Sequence, residues 1–236
     1  MSTAILGVIF LALSGATGFL YTKQKKRLAY MKTLKKMSIA DSKTGDVGLF
    51  EGEIDGVSIK VPYYDDPVAY YKYELQEEIS KKRENGTTAH SWRLVKKGAS
   101  RAPFMVKSGE VSVLINPVGF AVDDIELYNG KAVGLTKDIF EAIQFITEGN
   151  LRPDLMSKRL KLRISGLPIG QKVVVAGKVE QEGGALTIKK TDLLGKLYTA
   201  TETDDIAKKE KTLVYVFLGL TVILAGLAIA AFVTAI

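Results

Sequence analysis

Read for polarity, the chain has an uncharged stretch at each end and a charged, alternating middle. Residues 1–22 and 212–236 contain no Asp, Glu, Lys, Arg or His. The run Ala4–Tyr21 is 18 residues of mostly Leu, Ile, Val, Phe, Ala and Gly, and Thr212–Ile236 is 25. About 20 apolar residues in a helix cross a hydrocarbon core of roughly 30 Å, so the pattern predicts a short first span and an ample second one. Ala16-Thr17-Gly18 would suit signal-peptide cleavage. No basic residue precedes the run, however, and a dense basic cluster follows it, so the first span reads as a signal anchor.

The middle is mostly strand. Val57–Val61 alternates and stops at Pro62. Val68–Arg83 and Thr87–Lys96 flank Asn85-Gly86, the preferred two-residue hairpin turn. That turn would set Ile79 opposite Trp92 and Glu77 opposite Leu94, giving a core face of Tyr73, Leu75, Ile79, Trp92 and Leu94. Further strands are expected over Glu110–Ile115, Phe120–Leu127, Gln171–Glu180 and Ala185–Lys190, with turns at Pro117/Gly119 and Glu182-Gly183-Gly184. One internal helix is expected, capped by Thr136, periodic at Ile139, Phe140, Ile143 and Ile146, and ended by Gly149. A last helix starting at Thr203, with Asp204 and Asp205 in its first turn, should run into the second span. The fold class is therefore two transmembrane helices flanking a β-rich, α+β domain. That domain is an OB-like Greek-key barrel with one inserted helix. The expected segments are 1–22 (first span), 23–40 (basic arm), 41–203 (barrel domain) and 204–236 (helix and second span).

Charge sharpens this. The 33 Lys and Arg against 26 Asp and Glu give +7. Lys23, Lys25, Lys26, Arg27, Lys32, Lys35 and Lys36 equal that excess, with no acid before Asp41, which leaves the rest of the chain neutral. Beside a span, such a cluster follows the positive-inside pattern and can contact anionic lipid headgroups. Lys208, Lys209 and Lys211 flank the second span in the same sense. A two-pass protein of the cell membrane with a cytoplasmic domain is expected. Small residues at packing intervals, Ser14 and Gly18 in one span and Gly219, Gly226 and Ala230 in the other, suit helix packing within the chain, against other membrane proteins, or in a homo-oligomer. The tyrosines cluster beside Asp65 and Asp66 rather than along a basic groove, so nucleic acid is not an expected partner.

Catalytic chemistry is not legible. There is no cysteine, hence no disulfide, thiol nucleophile or thiolate-ligated zinc. The lone His90 adjoins Ser91, and neighbours on a strand point to opposite faces. Asp65-Asp66 and Asp123-Asp124 could hold a cation but suit turns. Neither a phosphate-binding glycine loop nor G-x-S-x-G nor H-E-x-x-H occurs. No catalytic residue, metal or cofactor is expected. Asn85-Gly86-Thr87 is a formal glycosylation acceptor and so a test of orientation.

Several stretches nonetheless carry a resemblance. Pro67-Val68-Ala69-Tyr70-Tyr71-Lys72-Tyr73, the lone Trp92, Ala102-Pro103-Phe104 before Gly109-Glu110-Val111-Ser112-Val113, Leu167–Val173 with Gly177, and Lys196–Ala200 keep a characteristic order between two spans. In this the chain resembles the GIDE or "beside a membrane" domain. The resemblance implies kinship with membrane-anchored ubiquitin or SUMO ligases of mitochondria, whose C-terminal RING recruits the conjugating enzyme and whose domain faces the intermembrane space. It also implies kinship with RING-less prokaryotic, often archaeal, relatives. With the chain ending in its second span and no cysteine, no RING is expected. The expected function is a noncatalytic membrane-anchored scaffold. The alternatives are an accessory subunit of a membrane complex, or a component of a ubiquitin-like conjugation system whose chemistry comes from partners.

Overall fold

The computed structural model describes residues 3–82, 86–132, 137–147, 149, 155, 158–199 and 203–235. In chain order its elements begin with α1 (Thr3–Thr33), β1 (Lys36–Ser38), β2 (Val47–Asp55), β3 (Val68–Lys82) and β4 (Thr88–Ala99). Next come β5 (Phe104–Ser108), β6 (Val111–Ile115), β7 (Ala121–Val122), β8 (Ile125–Ala132) and α2 (Lys137–Thr147). The chain closes with β9 (Leu160–Pro168), β10 (Lys172–Glu182), β11 (Ala185–Lys189), β12 (Lys196–Tyr198) and α3 (Thr203–Val233). Two compact units result: Met1–Lys36 with Thr191–Leu194 and Ala200–Ile236, and Met37–Lys190 with Gly195–Thr199.

In the first unit, α1 and α3 are each 31 residues, about 46 Å at 1.5 Å per residue. Both are long and apolar enough to cross a membrane. They pack antiparallel: Gly7 meets the Phe232 ring, Thr17 meets Thr221, and Arg27 meets Glu210. Their remaining apolar faces are uncovered within the chain, with Phe19 68% and Ile229 65% exposed. A helix hydrophobic all round has no stable place facing water.

The second unit holds two sheets. Strands β2, β5, β6, β11 and β10 form a closed ring, because β10 pairs antiparallel with β2 as well as with β11. All pairings in the ring are antiparallel except β6 with β11, which are parallel. This is the five-stranded OB-like barrel that the alternation predicts. Its interior is filled by residues such as Phe50, Ile54, Val106, Val113, Val175 and Ile188. Each fully buried aliphatic side chain contributes about 1.5–3 kcal/mol. Gly52 and Gly177 permit the close approach of strands. A Cβ on Gly52 would lie 2.6 Å from the Lys107 carbonyl, and one on Gly177 2.7 Å from that of Lys189.

The predicted hairpin does not enter the barrel. It joins a separate antiparallel sheet, in the order β4-β3-β9-β8, over a second core of Val68, Tyr73, Leu75, Leu160, Leu162 and Ile164, on which α2 places Ile143. Strand β9 was not expected, although Leu160, Leu162 and Ile164 alternate with polar residues. The expected strand Phe120–Leu127 is divided: β7 pairs with β12, Asp123-Asp124 turns the chain, and β8 pairs with β9. The expected strand Val57–Val61 reduces to one bridge, Ile59 with Val68, because Gly56 at φ 118° ends β2 and Pro62 follows.

The hairpin register also corrects the expectation. Ile79 faces Ser91, Glu78 faces Trp92 and Glu77 faces Arg93, one residue from the predicted pairing. Among the described residues the pairing runs to Lys82 opposite Thr88. A bulge at Val95 then restores the predicted register, with Leu75 opposite Lys96 and Tyr73 opposite Gly98. Tyr73 and Leu75 are therefore core, whereas Trp92 and the 48% exposed Leu94 lie on the other face. Asn85 and Thr136, the expected turn and cap residues, lie outside the described residues.

Candidate functional site

In the helical unit the residues singled out from sequence fall into three sets. Ser14 and Gly18 lie on the seam between the helices. Ser14 Oγ donates to the Thr221 carbonyl at 3.2 Å, and a Cβ on Gly18 would lie 3.7 Å from Thr221 Cγ2. Gly219, Gly226 and Ala230 are exposed, and a Cβ on either glycine would meet nothing within 4 Å. Of the basic cluster, Lys23, Lys25, Lys26, Lys32 and Lys35 are exposed, Lys36 is half-buried, and Arg27 turns toward α3. Its Nε stands 3.6 Å from Glu210 Oε2, with that carboxylate side chain only 1% exposed. Glu210 is the functional-site residue that the sequence reading missed. The available signal was a single acid among Lys208, Lys209 and Lys211 on a helix facing Arg27.

Two Lys–Tyr pairs mirror one another at the ends of the apolar runs. Lys25 Nζ lies 5.9 Å from the centre of the Tyr21 ring, and Lys211 Nζ lies 5.7 Å from that of Tyr215. Tyrosines at such a boundary put an apolar ring toward the hydrocarbon and a hydroxyl toward water, while lysine stems run along apolar surface to a wet ammonium.

In the β-rich unit the possible catalytic groups are held in structural pairs. His90 sits across from Ser80 and not with Ser91: its Nδ1 lies 3.1 Å from Ser80 Oγ and 3.4 Å from Glu78 Oε1. A nucleophile–base–acid relay uses one ring nitrogen for the hydroxyl and the other for the acid, and here both partners share Nδ1. Glu78 is also held by Arg159 at 2.8 Å. Asp124 accepts from Ser165 Oγ at 2.9 Å and pairs with Lys72 at 2.8 Å, so it fastens the turn between β7 and β8. Asp65 and Asp66 are exposed in the loop before β3. Among the described residues no three His, Cys, Asp or Glu side chains converge as a metal site would require.

Among the described residues of this unit the most buried charge is Glu77, whose side chain is 1% exposed. Lys158 and Arg93 both donate to it, with Arg93 Nε at 2.8 Å from Oε1. The Lys158 ammonium first and the Arg93 guanidinium second hold its carboxyl below the usual range, against the opposing effect of burial. A cleft of about 220 Å³ on the same sheet is lined by Lys72, Glu74, Asp124, Glu126, Arg163 and Ser165. Arg163 Nη2 is 2.9 Å from Glu126, so this surface is largely cross-neutralised.

The GIDE family, described as E3 ubiquitin ligase, matches residues 73–228, from within β3 through the barrel strands β5, β6, β10 and β11 to most of α3, with β2 outside the match. The chain belongs to the GIDE family. No curated protein and no solved structure matches it.

Proposed function

We propose that this protein is a two-pass membrane protein whose barrel unit serves as a noncatalytic interaction platform on the cytoplasmic face. The observation that carries the reading is the conjunction of the GIDE match with the absence of cysteine from residues 1–236. A RING is built on zinc-bound thiolates, and these residues supply none. Two features support the membrane setting: an antiparallel pair of helices with uncovered apolar faces, and a lysine four residues from a tyrosine at the charged end of each apolar run, Lys25 after Tyr21 and Lys211 before Tyr215. The basic flanks favour the cytoplasmic side for the barrel.

A second reading, an accessory subunit of a larger membrane complex or a homo-oligomer, is favoured by the outward position of Gly219, Gly226 and Ala230 on α3. Crosslinking and affinity purification of the full chain from native membranes tests both. A partner recovered in fixed stoichiometry supports the subunit reading, and recovery of the homo-oligomer alone supports self-assembly. In parallel, the purified protein incubated with ubiquitin, activating enzyme and a panel of conjugating enzymes should form no conjugate. Conjugate formation above the protein-free control would overturn the noncatalytic assignment.

A further inference from the structure

The basic cluster after α1's apolar run looks in sequence like one continuous arm, but the helical pair sorts its members by height. The contacts Gly7–Phe232, Thr17–Thr221 and Arg27–Glu210 put Tyr21 level with Tyr215 to within about 3 Å at helical rise. Measured from that level along α1, Lys23, Lys25 and Lys26 lie roughly 3, 6 and 7.5 Å away. Along α3, Lys211, Lys209 and Lys208 lie roughly 6, 9 and 10.5 Å away on the same side. Lys32 is roughly 16 Å out, and Lys35 and Lys36 follow the end of the helix. The Debye length at physiological salt is about 8 Å, so Lys23, Lys25, Lys26 and Lys211 lie within about one Debye length of a charged surface at the tyrosine level, Lys209 and Lys208 lie just beyond it, and Lys32 at about two Debye lengths is largely screened, with Lys35 and Lys36 farther along the chain.

Charge balance reinforces the sorting. Within that band stand seven cations, the six lysines and Arg27, against the single carboxylate of Glu210, a net of +6. Arg27 and Glu210 face each other across the seam, which turns Arg27 away from the perimeter. All six lysines are exposed. Asp204 and Asp205, at the far end of α3, lie beyond the band. Both Lys–Tyr pairs hold an ammonium near the boundary, one on each helix of the pair.

We propose that Lys23, Lys25, Lys26, Lys208, Lys209 and Lys211 form a collar that gathers anionic phospholipid headgroups around the helical pair. This rests on the membrane-spanning reading above. It assigns to α3 half of a site that the sequence places at residues 23–36, on α1 and just after it, and it removes Arg27, Lys32, Lys35 and Lys36 from it. Neither helix is sufficient, because three lysines on one helix leave the other helix's side of the pair bare.

The test uses the full chain reconstituted in vesicles of one part phosphatidylglycerol to nine parts phosphatidylcholine, then extracted in mild detergent, with co-purifying lipid quantified by mass spectrometry. Wild type should be enriched in phosphatidylglycerol. Replacing Lys23, Lys25 and Lys26 by Gln, or Lys208, Lys209 and Lys211 by Gln, should each reduce the enrichment, by about fivefold per lysine at most. Replacing Lys32, Lys35 and Lys36 by Gln should leave it within twofold, and Lys→Arg at all six collar positions should retain it. Inorganic phosphate should compete no better than chloride at equal ionic strength, which separates a lipid surface from a free-phosphate site. Equal loss from the Lys32/Lys35/Lys36 variant, retention after Gln replacement of all six collar lysines, or specific competition by phosphate would overturn the collar. Alkaline carbonate extraction separates the two levels of the claim. Release of wild type into the soluble fraction would overturn the membrane reading and the collar together. Firm insertion without enrichment would overturn the collar alone.

Discussion

Glu77 provides a test in which removing more charge restores stability. Its carboxylate is 1% exposed, whereas the Arg93 and Lys158 side chains that hold it are 56% and 35% exposed. Replacing Glu77 by Gln leaves two cations that can turn into water, so the loss is confined to charge-assisted hydrogen bonds, about 1.5–3 kcal/mol. Replacing Arg93 and Lys158 by Met leaves a carboxylate enclosed without a counter-charge, which costs about 3–5 kcal/mol. Adding Glu77→Gln to that double variant removes the stranded charge and should return about 2 kcal/mol, or roughly 4–8 °C in Tm for a unit of this size. The assay is thermal unfolding of the full chain in detergent. Fluorescence of the single Trp92 reports from beside Arg93, on the strand paired with β3. A triple variant no more stable than the double would refute the buried-charge reasoning.

The same carboxylate sets an acid limit. Its folded-state pKa is lowered, so its stabilising contribution is complete above the ordinary Glu value of about 4.3 and is lost as pH falls toward the folded value. Wild type should therefore lose Tm more steeply than Glu77→Gln between pH 5 and about pH 3, and parallel profiles would exclude Glu77 as the source. Gly52→Ala should destabilise the barrel by about 1–3 kcal/mol, because the new methyl meets the Lys107 carbonyl and Val106 on the adjoining strand and Ile39; an unchanged Tm would show that β2 and β5 can separate freely. Gly18→Cys with Thr221→Cys should form an intramolecular disulfide under mild oxidation, read as a mobility shift free of competing thiols. Absence of that shift would contradict the antiparallel helix pairing.

Elements that carry their own boundary signals are legible in the sequence, and those set by distant partners are not. The apolar helices were visible because charge vanishes from both ends of the chain, and β10 with β11 because Gly183-Gly184 separates two β-rich runs. The barrel was recognisable as a class, but its division from a second sheet was not. Nothing local tells β3 to pair with β9 some 90 residues later rather than with β2, the barrel strand that precedes it. The register error has the same origin. Asn85-Gly86 promised a tight turn, yet packing of Tyr73, Leu75 and Glu77 over β9 together with the Val95 bulge decided the pairing. Glu77 fell on the core face at the correct parity, but its burial made sense only once Lys158, 81 residues away, was known to reach it. The collar was half legible for a related reason: only the antiparallel packing of α1 and α3 shows that two lysine triplets lie at one height.

Labelling of single introduced cysteines by a membrane-impermeant maleimide tests the two-span arrangement most directly, since the chain has no cysteine of its own. Thr3→Cys and Ala235→Cys mark the outer ends of the helical pair, and Val57→Cys and Val118→Cys, each 64% exposed, mark the barrel unit. In intact cells the two terminal positions should label and the two barrel positions should not, with all four labelling after permeabilisation. Labelling of the barrel positions in intact cells would contradict the cytoplasmic orientation, and equal labelling of all four from one side would contradict the two spans themselves.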